Sequence, residues 1–106
     1  MTKDERFAAL IRLGCIACLL KRQVHSAACI HHLLGIKYRA TGKKAHWSHT
    51  IPLCPTDHDG NHRIFPSAHK QPALFRAVYG TQEFLLNEVN KRIGWTNEDD
   101  KKAQQR

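Results

Sequence analysis

The sequence predicts a small α+β domain in which short strands and several helices are held together by bound metal. Three observations lead to this fold class. The chain has only 106 residues, its apolar spacing changes from helical to strand-like and back, and all four cysteines and all eight histidines lie in the first 70 residues. A chain of this length forms one domain with a thin core, for which metal is a common support. We expect one domain over residues 1–94 and a flexible tail over 95–106.

The first half of the chain predicts a helix followed by two strands. Residues 4–13 have the apolar spacing of a short amphipathic helix, and Gly14 ends it. Residues 28–33 and 49–53 are short and rich in apolar or β-branched residues, so they predict a long-looped hairpin whose proline marks an edge strand or a bulge. Pro55 is typical of a helix start and predicts a helix directly after the second strand.

The second half of the chain predicts a pair of helices. Residues 72–79 form a helical pattern that Gly80 closes. Thr81 is a good N-cap for the next helix, which Gly94 ends. Because apolar residues recur on one side of both segments, we expect residues 72–93 to serve packing rather than chemistry.

Charge indicates a negatively charged partner. The net charge is +8, and most of the excess lies in the first 70 residues, beside the groups that could bind metal. The longest apolar run has six residues, too few to cross a membrane. Acidic Asp4 and Glu5 and the interrupting Arg12 argue against a signal peptide. We therefore expect a cytoplasmic protein that binds nucleic acid, without a membrane partner or a small-molecule cofactor.

The cysteines predict a structural zinc site. Cys15 and Cys18 are separated by two residues, a spacing that lets both thiolates reach one ion in a reducing compartment. Cys54, before the predicted helix, is the natural third ligand. Three residues are candidates for the fourth position, and Cys29 is preferred over the other two, His25 and Asp57.

The histidines predict a second metal site. His31 and His32 are adjacent at a strand end, and His58 and His62 are four residues apart, as on one face of a helix. In a strand, neighbouring side chains point to opposite faces, so one of the first pair can bind metal while the other takes a proton from water. With a basic loop nearby, this set favours phosphodiester hydrolysis.

The order of these elements resembles the HNH, or ββα-metal, nuclease superfamily. More narrowly, several segments are similar to the Ref family of phage-type RecA-dependent nucleases: residues 14–18, 30–33, 50–55, 75–80 and 83–90. The resemblance implies a zinc-stabilised ββα-metal domain with flanking helices. It also implies a DNA endonuclease acting in phage or prophage recombination, with RecA filaments as a candidate partner.

The resemblance also implies roles for individual histidines. His32 matches the general base, His31 the metal ligand beside it, and His58 a ligand on the helix. His62 resembles the second helix ligand, and His69 falls where Ref-like proteins have an active-site histidine, so both are candidates for the third ligand. Activity in these families implies Mg²⁺ or Mn²⁺, whereas imidazole ligands suit Zn²⁺ or Ni²⁺.

The sequence departs from the family pattern at two points. Asp57 stands where these families usually have a histidine after the cysteine, which leaves the fourth zinc ligand open. The middle residue of the HNH pattern is not an asparagine, and His46 and His49 are the candidates for its role of fixing the loop.

The predicted loop between the strands carries the candidate DNA contacts. Phosphate contacts are assigned to Lys37, Arg39, Lys43 and Lys44, with Tyr38 or Trp47 stacking on a base. Two alternatives to a nuclease are a zinc-stabilised DNA-binding module without catalysis and a zinc domain that binds protein. The binding module would tolerate loss of His32.

Overall fold

An antiparallel pair of strands lies at the centre of the protein, with helices packed around it. The computed structural model describes residues 1–35, 44–55, 67–68 and 70–104. In these residues the elements are α1 (Lys3–Leu13), a π-helical turn (Cys18–Arg22), β1 (Cys29–His32), β2 (Thr50–Leu53), α2 (Pro72–Tyr79), α3 (Gln82–Ile93) and α4 (Asn97–Gln104). The predicted α+β class is confirmed as a two-stranded sheet with four α-helices in this part of the chain. The helix predicted to begin at Pro55 continues into residues that lie outside the described part of the chain.

Helix α1 begins and ends at residues that its local sequence favours. The Thr2 hydroxyl accepts a hydrogen bond from the Glu5 amide at 3.2 Å, and the Glu5 carboxylate accepts one from the Thr2 amide at 2.7 Å. This reciprocal pair satisfies two donors at the helix start. At Gly14 the chain has a φ of +81°, and a Cβ there would lie 2.8 Å from the Ser26 carbonyl oxygen. Both facts require glycine, so the predicted end of α1 is confirmed with its reason.

The two strands pair antiparallel, as the predicted hairpin requires. His31 lies opposite Ile51, and His32 lies opposite Thr50. Directly opposite residues share a face of the sheet, and successive residues alternate between faces. The sheet therefore has one face with His31 and another with His32.

Pro52 fits within β2 because its nitrogen faces away from β1. The Leu33 amide donates to the His49 carbonyl at 3.0 Å, which makes these two residues a hydrogen-bonded pair. Hydrogen-bonded pairs alternate with non-bonded pairs along an antiparallel ladder, and Ile30 opposite Pro52 falls at a non-bonded position. The missing N–H of proline therefore removes no bond between the strands, in agreement with the edge strand expected from sequence.

Helices α2 and α3 have the boundaries that proline, glycine and threonine predict. Pro72 occupies the first turn of α2, and Gly80 ends it with a φ of +106°. The Thr81 hydroxyl then accepts a hydrogen bond from the Phe84 amide at 3.1 Å and caps α3. Gly94 ends α3 in the left-handed conformation.

The hydrophobic core joins α1, the sheet and the two central helices. Its fully buried side chains include Leu10, Ile16, Leu53, Leu85 and Val89. The packing role predicted for residues 72–93 is confirmed by Leu85 and Val89. None of the helices in the described residues is long and apolar enough to cross a bilayer.

The C-terminal segment differs from the flexible tail expected there. Residues 97–104 form α4, and Trp95 is buried. The Trp95 indole donates to an Asp100 carboxylate oxygen at 2.6 Å, and its ring meets Trp47 edge-on with 5.8 Å between centroids. The segment lacks apolar periodicity, but Trp95 packs it against Trp47 of the domain, and the bond to Asp100 joins α4 to this tryptophan.

Arg6 is a fully buried cation that joins three elements. Its guanidinium donates to the Thr50 hydroxyl at 3.2 Å, to the Thr50 carbonyl at 2.7 Å and to the Asn90 side chain at 2.8 Å. It also lies 4.5 Å from the centre of the Trp95 ring, where cation–π attraction operates. Burial lowers the pKa of Arg6 to about 10, so the side chain stays charged at neutral pH. It therefore ties α1 to β2 and α3.

Candidate metal centre and adjoining pocket

Three of the predicted cysteine ligands come together in the structure. The sulfurs of Cys15, Cys18 and Cys54, called here the cysteine group, all lie within 4.8 Å of one another. The Cys18 and Cys54 sulfurs are 3.8 Å apart. Two thiolates at the usual zinc–sulfur distance on a tetrahedron are also about 3.8 Å apart. The spacing of the cysteine group therefore fits a single zinc ion.

The turn after α1 brings the sulfurs of Cys15 and Cys18 close together. The Cys18 amide donates to the Cys15 sulfur at 3.4 Å, and the Cys15 amide donates to the Ser26 carbonyl at 3.1 Å. Gly14 makes this approach to Ser26 possible. Backbone N–H bonds to sulfur favour the thiolate form that binds metal. Cys54 follows β2 directly and reaches the turn from the sheet.

Two of the candidates for a fourth ligand are engaged elsewhere. The Cys29 sulfur lies outside the cysteine group and donates to the Leu53 carbonyl at 3.1 Å. Burial raises the pKa of the Cys29 thiol, which favours the protonated form. The His25 Nε2 atom lies 3.3 Å from the Arg12 carbonyl oxygen. The third candidate, Asp57, lies outside the described residues.

The two adjacent histidines occupy opposite faces of the sheet, as strand alternation predicts. His32 shares its face with Thr50, beneath α1, and its ring meets Phe7 edge-on with 6.4 Å between centroids. His31 is 1% exposed, on the other face, with Ile51. We call these the α1 face and the pocket face.

The pocket face borders a cavity of about 480 Å³. His31 and Ile51 form its wall on the sheet side, and the opposite wall comes from α2, α3 and the turn that joins them. Among its described lining residues, Arg76 carries a positive charge and Glu83 a negative one. The cavity therefore combines an imidazole with two charged groups at the surface of the domain.

Gln82 fixes the chain where it leaves β1 beside this pocket. Its side-chain oxygen accepts from the Leu34 amide at 2.6 Å, and its side-chain nitrogen donates to the Leu34 carbonyl at 2.8 Å. Because Leu33 and His49 are a hydrogen-bonded pair, the amide and carbonyl of Leu34 face away from β2, and Gln82 satisfies both of them. The two bonds hold the position from which the basic loop departs.

Sequence reasoning did not identify Arg76 and Gln82 as members of a site. Both residues line the pocket. They lie in α2 and α3, whose apolar spacing predicts only packing. For Gln82, the local sequence offered one indication, that it is a polar residue directly after the Thr81 cap.

The turn before β2 contains the two other histidines named from sequence. The His46 Nδ1 atom lies 2.8 Å from the Ser48 hydroxyl, and the His46 carbonyl accepts from the His49 amide at 2.8 Å. Trp47, a candidate for base stacking, is partly buried between His46 and Trp95. These contacts hold the turn that leads into β2.

Several predicted site residues lie outside the described part of the chain. They are His58, His62 and His69 of the candidate active site and Lys37, Arg39 and Lys43 of the basic loop. Lys44, the last residue of the predicted DNA contacts, is described and exposed.

Comparison with known proteins identifies the family. No curated protein and no solved structure matches the chain. Residues 2–93 match the family described as "Recombination enhancement, RecA-dependent nuclease". The matched segment contains α1, the cysteine group, both strands and the pocket helices. Since it covers well over half of the sequence, the chain belongs to this family of RecA-dependent nucleases that act in recombination.

Proposed function

We propose that this protein is a metal-dependent DNA endonuclease of the HNH, or ββα-metal, type that hydrolyses phosphodiester bonds. The observation that carries the proposal is the buried His31 at the wall of the pocket, next in sequence to the partly exposed His32. Membership of a nuclease family supports the same reaction. A recombination nuclease acts on DNA, and the family name makes a RecA filament the proposed partner.

The proposed catalytic metal is held by imidazoles. His31 would be one ligand and His58 another, with His62 or His69 as the third. A divalent metal bound there supplies positive charge to the scissile phosphate and the leaving oxygen. Mg²⁺ or Mn²⁺ is the proposed working ion.

The chain's own groups would carry the remaining steps. His32 would take the proton of the attacking water, a role that suits an imidazole near neutral pH. Arg76 would donate hydrogen bonds to a phosphate oxygen at the pocket, where charge builds up during the reaction. The basic loop residues Lys37, Arg39, Lys43 and Lys44 would hold the DNA backbone, so affinity should fall steeply with salt.

The cysteine group would hold a structural zinc ion that joins the turn after α1 to the end of β2. Cys15, Cys18 and Cys54 would supply three ligands, and their spacing supports this. For the fourth, we propose Asp57 ahead of Cys29, because the Cys29 thiol donates to a backbone carbonyl.

Nicking of supercoiled plasmid tests the proposed nuclease. The assay compares wild type, His31→Ala and His32→Ala in Mg²⁺, Mn²⁺ or Zn²⁺, with and without RecA on the DNA. We expect wild type to nick the plasmid and His32→Ala to be about 10²–10⁴-fold slower with equal zinc content. Arg76→Ala should slow cleavage as well, whereas Arg12→Ala, another exposed helical arginine, should not. Cleavage by His32→Ala at the wild-type rate would contradict the assignment of the base.

One observation favours a second function, a DNA-binding module without catalysis. The His32 ring packs edge-on against Phe7 of α1, a contact that a purely structural histidine would also make. A binding module predicts salt-sensitive DNA binding by wild type and by His32→Ala, and no nicking by either protein.

A further inference from the structure

Arg22 contacts the cysteine group and α2 at the same time. It is the last residue of the π-helical turn, and its guanidinium donates to the Cys18 sulfur at 2.8 Å. The same guanidinium donates to the Tyr79 hydroxyl and lies 5.7 Å from the centre of the Tyr79 ring. Tyr79 is buried at the C-terminal end of α2. One side chain thus spans two separate parts of the fold.

The negative charge of the cysteine group explains why a cation beside it would matter. Three thiolates carry more negative charge than one zinc ion neutralises. A guanidinium beside a ligand sulfur offsets part of that excess, and its charged hydrogen bond fixes the direction of the sulfur. Residues that bond to metal ligands in this way commonly control how tightly the metal is held.

The planar shape of arginine makes both bonds possible at once. Its two terminal nitrogens point in fixed directions, so one can reach sulfur while the other reaches the hydroxyl. Lysine has a single ammonium on a flexible stem and cannot reproduce this geometry.

We propose that Arg22 is a positioning residue of the metal centre, which binds the Cys18 sulfur and the Tyr79 hydroxyl together and thereby couples metal binding to the placement of α2. Helix α2 also carries Phe75 and Arg76, which line the pocket. Loss of the metal should therefore loosen this wall of the pocket. The inference rests on the proposed structural zinc and not on the proposed nuclease reaction.

Zinc release tests the first half of the inference. Zinc-loaded full-length protein is mixed with a coloured chelator, and the release rate is compared among wild type, Arg22→Gln, Arg22→Lys and Lys21→Gln. We expect release from Arg22→Gln to be about tenfold faster than from wild type. Arg22→Lys, which retains the charge and the fold, should be intermediate. Lys21→Gln removes a neighbouring exposed charge and should match wild type.

Hydrogen exchange of α2 tests the second half. Tyr79→Phe retains the buried ring and removes only the hydroxyl, so its α2 amides should lose protection while α1 stays protected. Wild type stripped of zinc should lose protection in the same α2 amides.

Three results would overturn the inference. The first is that the wild-type chain binds no zinc, and the second is that Arg22→Gln and Lys21→Gln release zinc at equal rates. The third is that the α2 amides of Tyr79→Phe and of zinc-free protein are as protected as those of zinc-loaded wild type. A variant without nuclease activity but with these zinc and exchange results would leave the inference standing.

Discussion

The two faces of the strand pair share one backbone but are held in different ways. On the α1 face, Arg6 bonds directly to Thr50, and Phe7 packs on His32. On the pocket face, His31 borders a cavity of about 480 Å³ whose far wall belongs to α2 and α3. The comparison teaches that hydrogen bonds on one face can hold a strand pair whose other face borders a cavity. Buried polar bonds on the α1 side fix the strands, while on the other side His31, itself 1% exposed, lines the cavity.

The cysteine group gives the largest expected effect, because it joins the turn after α1 to the end of β2. Cys54→Ser should lose bound zinc and more unfolding free energy than any other variant below, since the binding free energy of a structural zinc ion, about 10 kcal/mol or more in zinc-finger peptides, contributes to folding. Metal analysis and circular dichroism would measure this. Cys29→Ser, which removes a thiol from the adjacent strand, is the matched control and should keep its zinc. Zinc loss from that control would make Cys29 a ligand.

Removal of Arg6 should remove the hydrogen bonds that hold the α1 face. Arg6→Ala leaves the buried Thr50 carbonyl and the half-buried Asn90 side chain without their donor, and we expect a loss of about 3–5 kcal/mol of unfolding free energy. Urea denaturation would measure it. Arg12→Ala, an exposed change on the same helix, should alter stability by less than about 0.5 kcal/mol. A similar small change for Arg6→Ala would mean that the apolar contacts of α1 suffice.

Removal of Gln82 should loosen the pocket face with a smaller cost. Gln82→Ala deletes two hydrogen bonds to Leu34, each worth about 0.5–1.5 kcal/mol. Exchange of the Leu34 amide should accelerate, while the α1 amides should exchange as in wild type. Asn87→Ala, an exposed change on α3, controls for helix propensity. Unchanged exchange at Leu34 would show that the chain after β1 is fixed by other contacts.

The smallest effect is expected at a charge that touches neither face. The N-terminal amine at 2.8 Å, together with Thr96, lowers the pKa of Asp99 to about 2. A lowered folded-state pKa contributes stability that is present above the ordinary value near 4 and is lost as pH falls toward 2. Asp99→Asn should therefore cost less than about 1 kcal/mol at pH 7 and a smaller amount at pH 2, where part of the charge remains in the folded protein. Denaturant midpoints at several pH values would test this, and an equal cost at both would exclude a charge effect.

Local signals predicted most of the fold. Gly14, Gly80 and Gly94 end helices where their backbone conformations require glycine, and Thr81 caps α3. The spacing of Cys15 and Cys18 likewise identified two members of the cysteine group. Each of these features depends on a few neighbouring residues, which is why the sequence reveals them.

Contacts between distant residues could not be predicted in this way. Arg6 bonds to Asn90, 84 positions away, and Arg22 bonds to Tyr79, 57 positions away. In the sequence, both arginines look like ordinary surface charges. The pocket could not be predicted for the same reason. Arg76 reaches it from α2, whose apolar residues indicate only packing.

Pro52 has a consequence for association between protein molecules. Because its nitrogen faces away from β1, the outer edge of β2 lacks an amide donor in the middle of a four-residue strand. A strand from a second molecule cannot form a continuous ladder along that edge. Sheet extension, a common route to aggregates, is therefore blocked on this side, and the edge is covered as well, since all four residues of β2 are buried and Arg6 donates to the Thr50 carbonyl.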